Sequence, residues 1–459
     1  MTGIVTVQVS ITSAPTPSTL QRTGAIISQG STTLTAGTYQ SVTMQSDITP
    51  KLSAALAITS ITWAGGVVTV TAAANLPAQF VDATSFPTTI AGCTPAGYNG
   101  QVIATMTSVD TFTYSLATNP GVATVEGTFT ITDELSSQLA TFFAQGSQVS
   151  VYVLELGAVT PNNAITALTA FITASAQFFY SYLVPRNWDT ATGFPALLNS
   201  LTALTAKTYF FVTTTIATYT TYSTAAYKDV VALVEAPAIP PTEFSVAALF
   251  WRSLNYNPSS TNKVTPFAFG FVYDVTAYPI FQNSAILATL KAAYINVIGT
   301  AAEGGLTNTM VSWGTTADGR DFSYWYSVDW IQINLDLNIS NAIINGSNNP
   351  VTPLYYNQDG INILQDVSVQ TIQTAITDGM AIGTVARTQL SATDFTAAYD
   401  AGDFVGQDIV NAIPFITYLT ANPNDYKIGA YNGLSAVYIP SRGFESIIFN
   451  IVVTDFVTA

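Results

Sequence analysis

The sequence contains no histidine. That absence removes the most frequent metal ligand and general base, together with every Ser-His-Asp or Cys-His arrangement. The single cysteine, Cys93, cannot form an intrachain disulfide, and without histidine it cannot complete a closed zinc site. A buried structural thiol is expected there, because free cysteine is usually buried. Charge is scarce as well: 8% of residues are Asp, Glu, Lys or Arg, against about 25% in an ordinary soluble domain. The 12 Lys and Arg face 27 Asp and Glu, a net charge of -15, which is the wrong sign for gripping a phosphate backbone. No nucleic-acid partner is therefore expected. No GxxxxGK[ST] loop and no GxGxxG after a strand occurs, so nucleotide hydrolysis has no visible seat. No uncharged run approaches the roughly 18 apolar residues of a membrane span, and MTGIVTVQVSITSAP lacks the basic and apolar regions of a signal peptide. A soluble, cytoplasmically made chain without membrane insertion is the expectation.

What is present is hydrophobic residue, 48% of 459, enough to build real cores in two to four domains. With so little charge, the surface must be covered by Thr, Ser, Asn, Gln and Tyr or hidden against neighbours. Residues 57–130 differ in texture from the rest. ITSITWAGGVVTVTAAA reads as a hairpin turning at Gly65-Gly66, and VIATMTSVDTFTYSLA repeats the alternation around Asp110. AGCTPAGYNGQV lies between them, with Asn99-Gly100 as a further turn signal. This is a small all-β module. It resembles a β-rich insert of bacteriophage structural proteins, carried here by ITSIT, a Gly turn, VTVT, the AGxTPxxYNG pattern, and Val109 to Tyr114 as a shortened VDxxTFTY.

Around the module the pattern changes to alternating strands and helices. TDELSSQLATFFAQG offers Thr132 or Asp133 as N-cap, Leu135, Leu139, Phe142 and Phe143 on one helical face, and Gly146 as a stop. The strand VSVYVLEL follows, then a helix over 161–177, the strand FFYSYLVP, a helix near 194–206 and the strand TYFFVTTT. This order predicts βαβ units and a largely parallel sheet that the β module interrupts. The Pro-rich 235–244 reads as a connection. Beyond it, Val328, Ile331, Leu335, Ile339 and Ala342 share a helical face, and a second helix is expected over 362–379. The last 80 or so residues return to β character, with hairpin-like pieces around Tyr399 to Gly406 and at Asn432-Gly433.

Candidate chemistry is thin. Asp394, Asp400, Asp403 and Asp408 cluster in ATDFTAAYDAGDFVGQD, which reads as a solvated acidic loop, with a cation site as the alternative. Asp318-Gly319-Arg320-Asp321 reads as an exposed loop, or else as an ion-pair contact to a neighbouring subunit. Asn338 and Asn345 fit the glycosylation sequon by chance. Tyr324, Trp325, Tyr326 and Trp330 read as helix packing in preference to a carbohydrate platform. Arg442 beside Gly443 is a basic turn at an interface, or an anion site. No catalytic residue, metal site or cofactor is expected.

The two ends alternate most clearly. Ile4, Val5, Val7, Val9 and Ile11 fall in IVTVQVSIT, and Ile447, Phe449, Ile451 and Val453 line one face of the closing segment SIIFNIVVTDF. A strand this apolar needs a partner for its backbone. Burying the latter four side chains contributes about 6 to 12 kcal/mol at about 1.5 to 3 each. Ordering about a dozen residues costs about 1 to 2 kcal/mol apiece. One exchanged strand is thus marginal, while many in a lattice are strong.

The chain resembles the contractile tail sheath proteins of bacteriophages, in a divergent branch. LSSQLATFFAQGSQVSVYVLEL is similar to the family's segment of two Phe, a Gly turn and Tyr-Val, and AVYIPSRGFESIIFNIVVTDF is similar to its closing β segment. In place of the Gly-Gly after the helix stands Gln145-Gly146-Ser147. The resemblance implies an α/β and α+β multidomain, tail-sheath-like fold: an arm over 1–25, an α/β domain over 26–56 and 131–240, the insert over 57–130, a middle region over 241–345, and an α+β core domain over 346–459 with a terminal exchange strand. It implies a helical homo-polymer of stacked hexameric rings around a tail tube protein, meeting baseplate and tail terminator proteins in the virion. In it, Ile4 to Ile11 and Ile447 to Val453 would augment sheets of neighbouring copies. The chain would be a structural protein and no enzyme. A tail-tube, capsid-surface or surface-layer protein shares the composition, and a carbohydrate-binding tail protein is the remaining alternative.

Overall fold

The computed structural model describes residues 20–443 apart from the short stretches 49–54, 77–84, 132–133, 147–150, 158–159, 175–177, 203–206, 238, 241–242, 280–282 and 302–305. Both alternating ends, and with them Ile4 to Ile11 and Ile447 to Val453, lie outside the described residues, as do Thr132 and Asp133. The described chain divides into two units. The larger comprises Leu20–Asn257 and Val264–Tyr326 with Arg442 and Gly443, and the smaller Pro258–Lys263 and Ser327–Ser441.

In the larger unit the continuous apolar runs form a parallel sheet covered on both faces, as such runs should. Its strands are β1 (Gly24–Ser28) and β2 (Tyr39–Val42) and, beyond an inserted barrel, β9 (Val151–Glu155), β10 (Ser181–Leu183), β11 (Tyr209–Thr214) and β12 (Val230–Val234). The order is β12-β11-β10-β1-β9-β2, parallel throughout except for β2, which runs antiparallel to β9. Helices α1 (Glu134–Ala144), α2 (Pro161–Ala174), α3 (Gly193–Thr202), α4 (Thr220–Ala225) and α5 (Val246–Leu254) are interleaved with these strands or follow them. Leu135, Leu139 and Phe142 of α1 are buried, and the Phe142 ring meets Phe250 of α5 at 5.8 Å. On the other side Leu168, Trp188, Phe194, Leu198 and Phe210 share one core.

The insert is a closed barrel of β3 (Leu56–Ala64), β4 (Val67–Ala72), β5 (Ser85–Ala91), β6 (Gly100–Met106), β7 (Thr111–Ser115) and β8 (Thr128–Ile131), in the order β3-β4-β7-β6-β5-β8. Closure leaves no edge strand, which lets so small a module stand in solvent. Strict alternation fills it: Val68, Val70, Phe112 and Tyr114 point inward, with Phe112 edge-on to Phe129 at 5.0 Å. The AGCTPAGYNG segment is its clasp. The Asn99 amide accepts from Cys93 N at 2.8 Å and donates to Cys93 O at 3.1 Å, while the buried Cys93 thiol donates to Glu126 O.

The larger unit also holds α6 (Ser284–Ala292) and the antiparallel pair β13 (Ile298–Ala301) and β14 (Leu306–Val311). Helix α7 (Phe322–Ser347) starts in the larger unit and continues in the smaller. The smaller unit contains α8 (Gln358–Thr377), β15 (Val385–Thr388), α9 (Ala392–Ala401), β16 (Asp408–Ala412), α10 (Phe415–Ala421), α11 (Pro423–Ile428) and β17 (Leu434–Val437). Its sheet runs β15-β16-β17, parallel then antiparallel, around a β16 buried along its whole length. The fold is thus mixed α/β and multidomain, with a small closed-barrel insert.

Two expectations are corrected here. The piece around Tyr399 to Gly406 is no hairpin but the end of helix α9 and the turn after it: the Ser391 hydroxyl accepts from Asp394 N at 3.2 Å, and Gly402 closes the helix at φ +80°. Asn432-Gly433 is likewise no tight hairpin turn, because β17 pairs with β16 only after α10 and α11 have intervened.

Candidate functional site

The acidic residues of 394–408 are not brought together. Asp394 lies in the first turn of α9 and accepts from the capping Ser391 Oγ at 2.7 Å, whereas Asp408 is fully buried as the first residue of β16. One Asp408 oxygen accepts from Ile439 N at 3.0 Å, and the other has no partner. Burial pushes its carboxyl above the ordinary carboxylate value, and the Ile439 amide pulls the other way. Among the described residues no group of three or more His, Cys, Asp or Glu is placed to hold a metal ion.

The 318–321 segment is an internal lock in place of an exposed loop. Asp318 accepts from Thr316 Oγ1 at 2.5 Å, Arg320 N at 3.1 Å and Trp325 Nε1 at 3.0 Å. Asp321 is buried and accepts from Ser323 N at 2.6 Å and Ser323 Oγ at 2.5 Å, with longer bonds from Phe267 and Ala268 N–H. Arg320 pairs with Asp318 Oδ2 at 3.2 Å and lies over the Tyr324 and Trp325 rings. Tyr326 and Trp330 are buried, as helix packing requires. Asn338 is also buried, with its amide donating to Thr371 Oγ1 at 2.9 Å, so its sequon is closed to glycosylation.

Another carboxylate was not singled out from the sequence, because its partners are remote. Glu155, buried at the end of β9, accepts from Ser28 Oγ, Gly30 N, Thr32 N, Thr32 Oγ1 and Gly157 N at 2.6 to 3.1 Å. Five donors saturate it, which makes it an anchor for the loop after β1 and leaves it unsuited to proton transfer.

What the described surface does offer is unpaired sheet edge. In the smaller unit β15 and β17 are each, among the described residues, strand-paired along one side only, with β16 between them. Gln365 of α8 holds this sheet from behind: fully buried, it donates to Thr388 O at 2.8 Å and Val410 O at 2.9 Å. The same unit exposes large apolar side chains, with Val351 84%, Val405 85% and Ile428 78% accessible. Backbone edge on a unit that also exposes apolar side chains suits strand addition, in which main-chain bonds supply affinity and side-chain pockets supply specificity.

Gln145, the residue that follows α1, has a definite job. Its amide accepts from Tyr273 N at 2.9 Å, donates to Tyr273 O at 2.7 Å and to Thr141 O at 3.0 Å. A side chain thereby stands in for a neighbouring strand at Tyr273.

These features define a multidomain α/β protein whose accessible polar chemistry is backbone edge, with acids used as internal locks. No protein-family model matches the chain, and no curated protein matches it. Among solved structures it is similar to a sheath tail protein from Listeria innocua, at 11% identity and a TM-score of 0.41, over 79% of this chain and 86% of that one. A likeness of that order assigns neither a family nor an activity.

Proposed function

We propose that this chain is a non-enzymatic structural subunit of a contractile phage tail sheath, which polymerises by strand exchange around a tail tube. The observation that carries the reading is the three-stranded sheet of the smaller unit, with a buried centre and two outer strands that have no second strand partner among the described residues. Two open edges match two alternating ends, Ile4 to Ile11 and Ile447 to Val453, each supplied by a neighbouring copy. In this reading 26–56 and 131–240 form the sheath's α/β domain, 57–130 an insert on it, 241–345 a middle region and 346–459 the core domain. The polymer is a stack of hexameric rings in the virion tail, bounded by baseplate and terminator proteins. Contraction exchanges side-chain contacts between subunits while strand links persist, so the lattice passes from an extended to a compact state using energy stored at assembly.

The test is deletion of residues 444–459. The shortened chain is expected to fold as a monomer and to form no tubes under conditions in which the full chain does. Tubes of full-chain appearance from the shortened protein would refute the reading.

A further inference from the structure

The five mutually parallel strands of the larger unit lie side by side as second, first, third, fourth and fifth in chain order, β9-β1-β10-β11-β12. In a sheet of that order the course of the chain reverses beside the first strand, and ligands bind there, outside the carboxyl ends of the strands. The loop leaving β1 carries SQGST, residues 28–32, and turns its donors onto one carboxylate. Gly30 N and Thr32 N donate to Glu155 at 2.6 and 3.1 Å. Ser31 N, between them, donates to Ser28 Oγ, which in turn donates to Glu155 at 2.8 Å. Thr32 Oγ1 at 2.6 Å and Gly157 N at 2.7 Å complete the set. Gly30 and Gly157 adopt φ of +81° and +88°, turns that residues with a Cβ rarely make.

The donors are three backbone N–H groups and two hydroxyls, all uncharged. Neighbouring N–H groups turned to one side make an anion-binding concavity. Their division identifies the shape of the anion. Oε1 accepts from Gly30 and Gly157, while Oε2 accepts from Ser28 and twice from Thr32. Two acceptor atoms with separate donor sets suit a carboxylate, which a spherical chloride cannot imitate. The site is dry as well, because Ser28, Thr32 and Glu155 are all buried. Beside it, Trp188 Nε1 from the segment after β10 donates to the buried Gln29 Oε1 at 2.7 Å. The crevice that such a sheet offers a diffusible ligand is filled here by the chain's own side chains.

We propose that residues 28–32 and Gly157 form a carboxylate-binding site whose resident ligand is Glu155 of the same chain, and that free acetate takes the site once the Glu155 side chain is cut back to alanine. The truncation removes a CH2COO group, and acetate is that group with one hydrogen added. In the unaltered chain the site is closed to diffusible anions, because its ligand is part of β9.

The experiment follows urea unfolding of the full chain and of its Glu155→Ala variant at neutral pH, in sodium acetate and in sodium chloride of the same ionic strength. In chloride the variant is expected to unfold at a lower urea concentration than the parent. In acetate its midpoint should climb with the logarithm of acetate concentration, as linkage requires of a ligand that binds only the folded state, and by more than any change in the parent. A variant whose midpoint is the same in both salts, or a parent that responds to acetate as strongly, overturns the proposal. Amide exchange then locates the effect. Protection at Gly30, Thr32 and Gly157 should fall in the variant and return with acetate, and a return that bypasses these three amides overturns the assignment. Because alanine can unfold the chain outright, Glu155→Gln is measured beside it. That variant keeps the side chain's shape but turns an amide N–H2 toward donors, so its midpoint should lie below the parent's and gain nothing from acetate. A midpoint equal to the parent's would show that the site does not require an anion, and would overturn the proposal.

Discussion

Replacing Gln365 by methionine keeps the volume of the side chain and removes both of its donors. Gln365 is fully buried, and its Nε2 reaches Thr388 O in β15 and Val410 O in β16. Each buried acceptor left unmatched costs about 1 to 3 kcal/mol, so with two of them the smaller unit should lose roughly 2 to 6 kcal/mol. Amide exchange across Val385–Thr388 and Asp408–Ala412 reads that loss locally, as an acceleration of about 30-fold to about 20,000-fold at about 1.4 kcal/mol per decade. A second variant separates hydrogen bonding from packing. Gln365→Glu directs a carboxylate at two carbonyls at neutral pH but regains one donor on protonation, so its deficit should shrink as pH falls. Loss below about 0.5 kcal/mol in Gln365→Met, or a pH-independent Gln365→Glu, would refute the assignment of Gln365 as the clamp behind the sheet.

Three other outcomes follow from the same structure. Gly127→Ala should cost the barrel about 2 to 4 kcal/mol in denaturant unfolding, because φ is +72° and the new Cβ would meet Ala91 O at 2.3 Å; a loss under about 1 kcal/mol contradicts the clash. Gln145→Ala should cost about 1 to 3 kcal/mol by removing the bonds to Thr141 and Tyr273, and should raise self-association by baring the edge at Tyr273; unchanged sedimentation counts against the edge-capping role. For Asp408 the folded carboxyl is raised above 3.8, so the unfolded chain gives up its proton first, and stability falls as pH rises from about that value through the higher folded one. Asp408→Asn should therefore be more stable than the parent at pH 7 and flatten the dependence on the acid side. A melting series that is parallel in the two proteins would contradict the sign.

Much of the larger unit could be read from the order of residues. Runs such as VYVLE and TYFFVTT announce buried parallel strands, because a strand covered on both faces has no polar side to show. The barrel is legible for the opposite reason: VVTVT and TFTYS alternate, since one face is core and the other water. Short helices flanked by acids were harder. Ser391 and Asp394 form a capping signal that the nearby acids obscured, and Asp408 looked like one more solvated carboxylate although it opens the apolar strand DIVNA. Asp321 failed in the same way, because its burial depends on Phe267 and Ala268, more than 50 residues away. Gln145 finds Tyr273 across 128 residues, a separation that no local pattern encodes.

The most direct measurement is a helical reconstruction of the assembled protein at a resolution that traces residues 444–459. Strand exchange predicts Ile447 to Val453 hydrogen-bonded to a sheet of the adjacent subunit. Density showing that segment paired within its own chain throughout the polymer would contradict it.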